Sequence, residues 1–295
     1  MSYGPDPWQQ TQWDWRAAGN FVFGGAGGGL IVFAALAGTQ GTALTLMLLG
    51  GLALVGAGLL CVWLEIGRPL RALHVFFNPR TSWMTREAFV AALLMPVTAA
   101  AAFGLTGLVW PAALLALAFV YCQARIVQGA KGIPAWREAL TVPLLVLTGL
   151  AEGGGLWLLA QAALAPQALA GPTPQAAAPP LVLAGVAAAL LARALLWPVW
   201  RQRLERSTAP RARAAIDSAG RWLQLGSWLP LVVVVTLAAS PFSAPFSAPL
   251  AAALLTAAGA FAAVAGAWFK YTLITRAGFN QGFALVHLPV RGARR

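Results

Sequence analysis

The sequence predicts an all-α, polytopic membrane protein, a bundle of eight transmembrane helices, and three observations predict it. Of 295 residues, 59% are hydrophobic and 9% charged, where a soluble domain carries roughly a quarter charged residues. The apolar residues fall into runs of about 20, the length that crosses a hydrocarbon core about 30 Å thick, and the chain has room for about eight of them. The basic residues behind the net charge of +12 sit between these runs. They lie on no amphipathic or aromatic-interleaved surface, which speaks against a nucleic-acid partner. No length is left for a soluble domain. The expected organisation is an interfacial segment over residues 1–18, a helical bundle over 19–275 and a polar tail over 276–295.

The first segment, MSYGPDPWQQTQWDWRAA, lacks the basic start and early apolar core of a cleavable signal peptide. Its Trp8, Trp13 and Trp15 suit the headgroup level of a bilayer, where amphipathic rings are favoured. Helix one is expected over 19–38 and contains GGAGGG. A phosphate-cradling loop needs a preceding strand and a different spacing. Gly24/Gly28 and Gly25/Gly29 instead give the small-xxx-small register that brings membrane helices close. Helix two follows over 42–64 and helix three over 87–109, with Thr85 as N-cap and Glu87 in the first turn, where an acid is favourable. Trp110-Pro111 marks a tight return into helix four, which ends near 127.

Helix five is expected over 139–159 and holds Glu152 beside Gly153, Gly154 and Gly155. An uncharged Ala/Pro-rich link leads to helix six, ending near 200. The connection over 201–221 is the most basic in the chain, and helices seven (222–240) and eight (250–271) are joined by PFSAPFSAP. Cys61 and Cys122 lie inside apolar runs without CxxC spacing, so an internal cluster held by four cysteines is excluded. Both read as small buried hydrophobes. No repeat of fixed period is present.

With eight spans, both termini and the connections after helices two, four and six share one side. Essentially every Lys and Arg lies there, and the opposite connections carry none. By the positive-inside rule the termini and basic connections face the cytoplasm of a bacterial or archaeal inner membrane.

The residues able to carry chemistry concentrate at 63–89, WLEIGRPLRALHVFFNPRTSWMTREAF, which holds four arginines, two glutamates and His74. Glu65 ends helix two and is spaced to meet Arg68. It is either an interfacial ion pair or a proton-handling carboxylate. Arg68, Arg71, Arg80 and Arg86 serve orientation and lipid contact, or dock an acidic partner or clamp a polar headgroup. His74 is either a satisfied interface residue or a proton exchanger near neutral pH. Glu152 is the acid well inside a span and needs a partner there. A secondary transporter with Glu152 on its pathway is the competing class, although repeat symmetry is lacking. Arg193 and Lys270 stand nearer helix ends and are expected to snorkel, and His287 belongs to the tail. Paired histidine ligands within the spans are missing, which argues against haem. No HExxH or GxSxG spacing appears, so no metal or hydrolase site is expected in this chain.

The run LEIGRPLRALHVFFNPRTSWMTRE resembles the connection after helix two in the DmsC/NrfD-like membrane anchor subunits of complex iron-sulfur molybdoenzymes. YCQARIVQGAKGIPAWREALTVPLLVLTG is similar to that family's helix four to five junction, and KYTLITRAGFNQGF to its closing segment. Together with WQQTQWDWRAAGNF, these motifs are nearest to the membrane subunit of phenylacetyl-CoA:acceptor oxidoreductases. The resemblance implies eight spans, a four-cluster iron-sulfur partner, and a catalytic partner holding a molybdenum or tungsten pterin. It also implies exchange of electrons with a quinone, menaquinone or ubiquinone, at the junction. It places Glu65 beside the quinone in proton transfer, with Arg68, Arg71 and His74 around the headgroup. The docking face for the partner would comprise Arg71, His74, Arg80, Trp83, Arg86, Arg125 and Arg137. A coenzyme A thioester exists only in the cytoplasm, so the charge asymmetry favours phenylacetyl-CoA or a similar substrate. The alternative within the family is an anchor for a periplasmic reductase of sulfoxide, polysulfide or tetrathionate.

Overall fold

The computed structural model describes residues 6–66, 69–164, 179–239 and 248–282. Its helices are α1 (Trp15–Leu36), α2 (Gly41–Glu65), α3 (Trp83–Ala102), α4 (Val109–Gly129), the short α5 (Pro134–Arg137), α6 (Thr141–Leu164), α7 (Pro180–Arg203), α8 (Pro210–Ala239) and α9 (Ala248–Thr275). Two 3-10 segments, Pro69–Phe77 and Thr106–Leu108, lie in the connections. Among the described residues eight helices are long and apolar enough to cross a membrane, as the hydropathy pattern predicts.

The first helix is the hub. α1 packs on α2, α4, α6 and α9 and is the most enclosed of the eight spans. Its small residues make that possible. A Cβ on Gly153 of α6 would fall 2.0 Å from the carbonyl carbon of Gly29, so the two backbones touch and only glycine fits. In a membrane, where lipid is as apolar as leucine, such close van der Waals packing is what holds helices together.

Several boundaries differ from the hydropathy reading, and three of them have a clear local reason. α3 begins at Trp83 because Ser82, not Thr85, is the N-cap; its hydroxyl accepts from the Thr85 N–H at 3.3 Å. Glu87 therefore lies one turn inside the helix and is buried. α3 ends at Ala102 because Gly104 takes φ +113° and turns the chain, with Leu105 N–H donating to Ala100 O at 3.0 Å. Trp110 and Pro111 consequently sit in the first turn of α4, where proline is tolerated, and are not the return itself. α8 starts at Pro210, twelve residues before the apolar run. Its first turns are amphipathic: Ala212, Ile216 and Ala219 are buried while Arg211 and Arg221 are exposed. Arg201 at the end of α7 pairs with Asp217 there.

The segment before α1 does more than lie on the surface. Trp8 N–H donates to Asn280 Oδ1 at 3.0 Å, Gln10 N–H to Gly278 O at 2.8 Å, and the Gln10 side-chain amide to Ile274 O. Trp13 stacks on Trp136 with ring centroids 4.8 Å apart. Residues 8–13 are thereby fastened to the end of α9, and α1 begins at Trp15, N-capped by Asp14.

Candidate functional site: an acid-lined cavity and an inner ion pair

At the basic end of the bundle a cavity of about 250 Å³ opens between α1, α2, α3 and α4. Its walls are mostly apolar, with Phe21, Val62, Met84 and Ile126 among them, and two carboxylates face it, Glu65 and Glu87. Glu65 is the last residue of α2 and is half-buried. Among the described residues no hydrogen bond or ion pair reaches its carboxylate. Arg16 stands nearby, donating to Leu64 O at 2.9 Å while paired with Asp14 at 2.9 Å. Those hydrogen bonds from Arg16 hold the Asp14 carboxyl below its usual range.

Glu87 forms the inner end. It is 6% exposed, and the Asn20 side-chain amide donates to its Oε1 at 3.3 Å. Gln123 in turn donates to Asn20 O at 2.9 Å and to Asn20 Oδ1 at 3.3 Å. Three helices thus contribute one polar chain, and Gly24 makes room for it, since a Cβ there would meet Gln123 Nε2 at 2.3 Å. A buried carboxyl solvated only by neutral amides can hold or release a proton without breaking an ion pair.

Deeper in the bundle lies a second cluster. Lys270 of α9 and Glu152 of α6 pair at 2.5 Å, and both are almost wholly buried. The ammonium also donates to Phe21 O at 2.5 Å. Arg193 of α7 is 0% exposed and donates to Ser227 Oγ, Gly226 O and Ala262 O. The expectation that Arg193 and Lys270 snorkel is therefore wrong. Both point across the bundle, where backbone carbonyls, the Ser227 hydroxyl and one carboxylate accept from them. Glu152 has the partner its burial requires, but it is not the sole enclosed acid, because Glu87 is another.

The other expected site residues divide. Arg68 lies outside the described residues, and Arg71 falls in the segment Pro69–Phe77. His74 does not line the cavity. The 3-10 segment carries it outward, exposed and edge-on to Phe77 at 5.3 Å. Trp83, Arg86 and Arg125 come together: the guanidinium carbons of Arg86 and Arg125 stand 4.2 and 4.6 Å from the Trp83 ring. Arg86 also donates to Pro79 O and Arg80 O, pinning the loop before α3. Arg80 and Arg137 are exposed on the same end. Arg137 and Arg206 border a surface depression of about 420 Å³.

Glu87, Asn20 and Gln123 were not singled out by the sequence reading as site residues. The available signal was polarity: an Asn and a Gln within apolar spans are expected to hydrogen-bond across to a neighbouring helix.

A family model described as DMSO reductase anchor subunit (DmsC) matches residues 17–189. The match takes in Asn20, Glu65, Glu87, Gln123 and Glu152 and stops before Arg193 and Lys270. No curated protein matches the chain.

Proposed function

The chain belongs to the DMSO reductase anchor subunit (DmsC) family of membrane anchors of molybdoenzyme complexes, and from that premise we propose that the cavity between Glu65 and Glu87 is a quinone site. A quinone bound there would accept two electrons from an iron-sulfur partner docked on the basic end and take up two protons, leaving as quinol. The supporting observation is the pairing of two carboxyls with otherwise apolar walls at the membrane boundary. Drug-sized pockets run from about 300 to 1,000 Å³. A cavity of about 250 Å³ with one open side suits a headgroup whose apolar tail stays in lipid.

The chain's residues divide the work. Phe21, Met84 and Ile126 exclude water and hold the ring. Glu87, oriented by Asn20, meets one ring oxygen at the closed end, and Glu65 at the mouth exchanges the proton with the aqueous surface. Arg80, Arg137 and the Trp83–Arg86–Arg125 stack present a cationic face to an iron-sulfur subunit, which in turn carries a molybdenum- or tungsten-containing catalytic subunit.

Every described Lys and Arg outside the inner cluster lies toward the end bearing residues 66–82, 130–140 and 204–209, and the connections at 37–40 and 103–108 are uncharged. Positive-inside orientation puts the docking face in the cytoplasm. This supports oxidation of phenylacetyl-CoA or a related thioester by the complex. The second reading, an anchor for a sulfoxide reductase facing the other compartment, draws on the family's description.

The test is Glu65→Gln in the intact complex. Quinone-linked turnover should fall about tenfold, less than the roughly 10²- to 10⁴-fold of a group that transfers the proton directly, because Glu65 stands at the mouth, while activity of the catalytic subunit with an artificial dye persists. Unchanged quinone-linked turnover would remove Glu65 from the site.

A further inference from the structure

The inner cluster contains more positive than negative charge. Lys270 and Arg193 face a single carboxylate, Glu152, and the remaining partners are neutral: Phe21 O and Val22 O for Lys270, and Ser227 Oγ, Gly226 O and Ala262 O for Arg193. Charges inside a membrane are costly and are usually retained for function. A helix staple requires only a balanced pair, so the excess cation calls for another explanation.

The arrangement has a direction. Lys270 shares a void of about 10 Å³ with Gln123, Phe21 and Gly25, and Glu152 does not border that void. Phe21, whose carbonyl takes the ammonium, also lines the acid-lined cavity. The ammonium is therefore the end of the ion pair turned toward the cavity, one side chain behind its wall. The cavity's own charged side chains, Glu65 and Glu87, are both acids. In the protein interior, fixed charges act over longer range than in water, and a preorganised charge aimed at developing charge is an effective form of electrostatic assistance. Gly25 permits the approach, since a Cβ there would fall 2.4 Å from Lys270 Nζ.

We propose that Lys270, with Arg193 behind it, is a positioning residue that supplies fixed positive potential to the quinone cavity, so that an ionised headgroup binds better than a neutral one. Glu152 sets how much of that potential the cavity feels. The inference rests on the quinone reading above.

The experiment uses the purified complex and two probes of similar size: lawsone, a hydroxynaphthoquinone that is an anion at neutral pH, and menadione, its neutral methyl counterpart. Removing the carboxylate charge with Glu152→Gln should tighten lawsone about three- to tenfold, the size of one screened charge across a protein interior, and leave menadione unchanged. Lys270→Gln should weaken lawsone by a similar factor, again without effect on menadione. A merely structural role moves both variants in the same direction and both probes together, and that result overturns the proposal. Where Lys270→Gln does not assemble, Glu152→Gln decides, and failure to tighten lawsone overturns it. A wild-type complex that binds neither probe overturns the quinone reading itself.

Discussion

Glu87 and Glu152 are both carboxylates sealed inside an apolar bundle, yet their surroundings are opposites. Glu87 is one turn from the basic end, borders a cavity and is solvated by the amide chain of Asn20 and Gln123. Glu152 lies eleven residues beyond Thr141, roughly 16 Å down the axis at about 1.5 Å per residue. It is locked to an ammonium, with Gly266 so close that a Cβ would meet its Oε1 at 2.6 Å. The contrast separates two uses of a buried acid. Neutral partners and an opening leave a carboxyl able to change its protonation state, whereas a cationic partner and tight glycine packing make it a fixed charge.

The largest expected effect comes from removing the fixed charge's partner. Lys270→Met leaves Glu152 buried and unpaired, and breaking such a pair costs about 3–5 kcal/mol. The variant should lose thermal stability in detergent, with much of the loss recovered in the Glu152→Gln/Lys270→Met double variant. A double variant no more stable than the single one would show that the pair is not the unit described.

Glu87→Gln is expected to separate the two acids by activity. It should lower quinone-linked turnover by about a hundredfold, typical for a positioned proton carrier, with little change in melting temperature because the amide keeps its bond to Asn20. Equal damage to dye-linked activity would make Glu87 a packing residue and erase the contrast with Glu152.

The smallest effect belongs to Asp14, which is neither buried nor in the cavity. Asp14→Ala removes the N-cap of α1 and should cost about 1 kcal/mol. The Asp14 carboxyl is held below its usual range by Arg16. Its contribution is therefore complete above the unfolded-state value and is lost as pH falls through the lowered folded one. Melting curves of wild type and Asp14→Ala should converge in acid and diverge toward neutral pH.

The spans were legible because hydropathy alone decides what crosses lipid, and Glu65 was legible because it stands where an apolar run stops. Glu87 was hidden by a cap placed three residues late, which made a buried acid look like a solvated first-turn residue. Asn20 and Gln123 gain meaning only when α1 and α4 bring them together, and no spacing along the chain encodes that. Lys270 and Arg193 were misread because distance to a helix end says nothing about which face a side chain occupies. The start of α8 was missed because its first turns are amphipathic, and hydropathy averages over the two faces.

The strap that joins residues 8–13 to the end of α9 bears on how the protein is made. Trp13 is part of the cavity wall, and Gln10, which donates to Trp13 O at 2.9 Å, also donates to Ile274 O. Lys270, from the same last helix, takes the carbonyl of Phe21. The surroundings of α1 are therefore complete only once α9 is in place. A nascent chain halted before α9 holds Glu152 without its counter-ion and a cavity without its fastening. Docking of α9 is thus the step that both closes the cavity wall and neutralises Glu152.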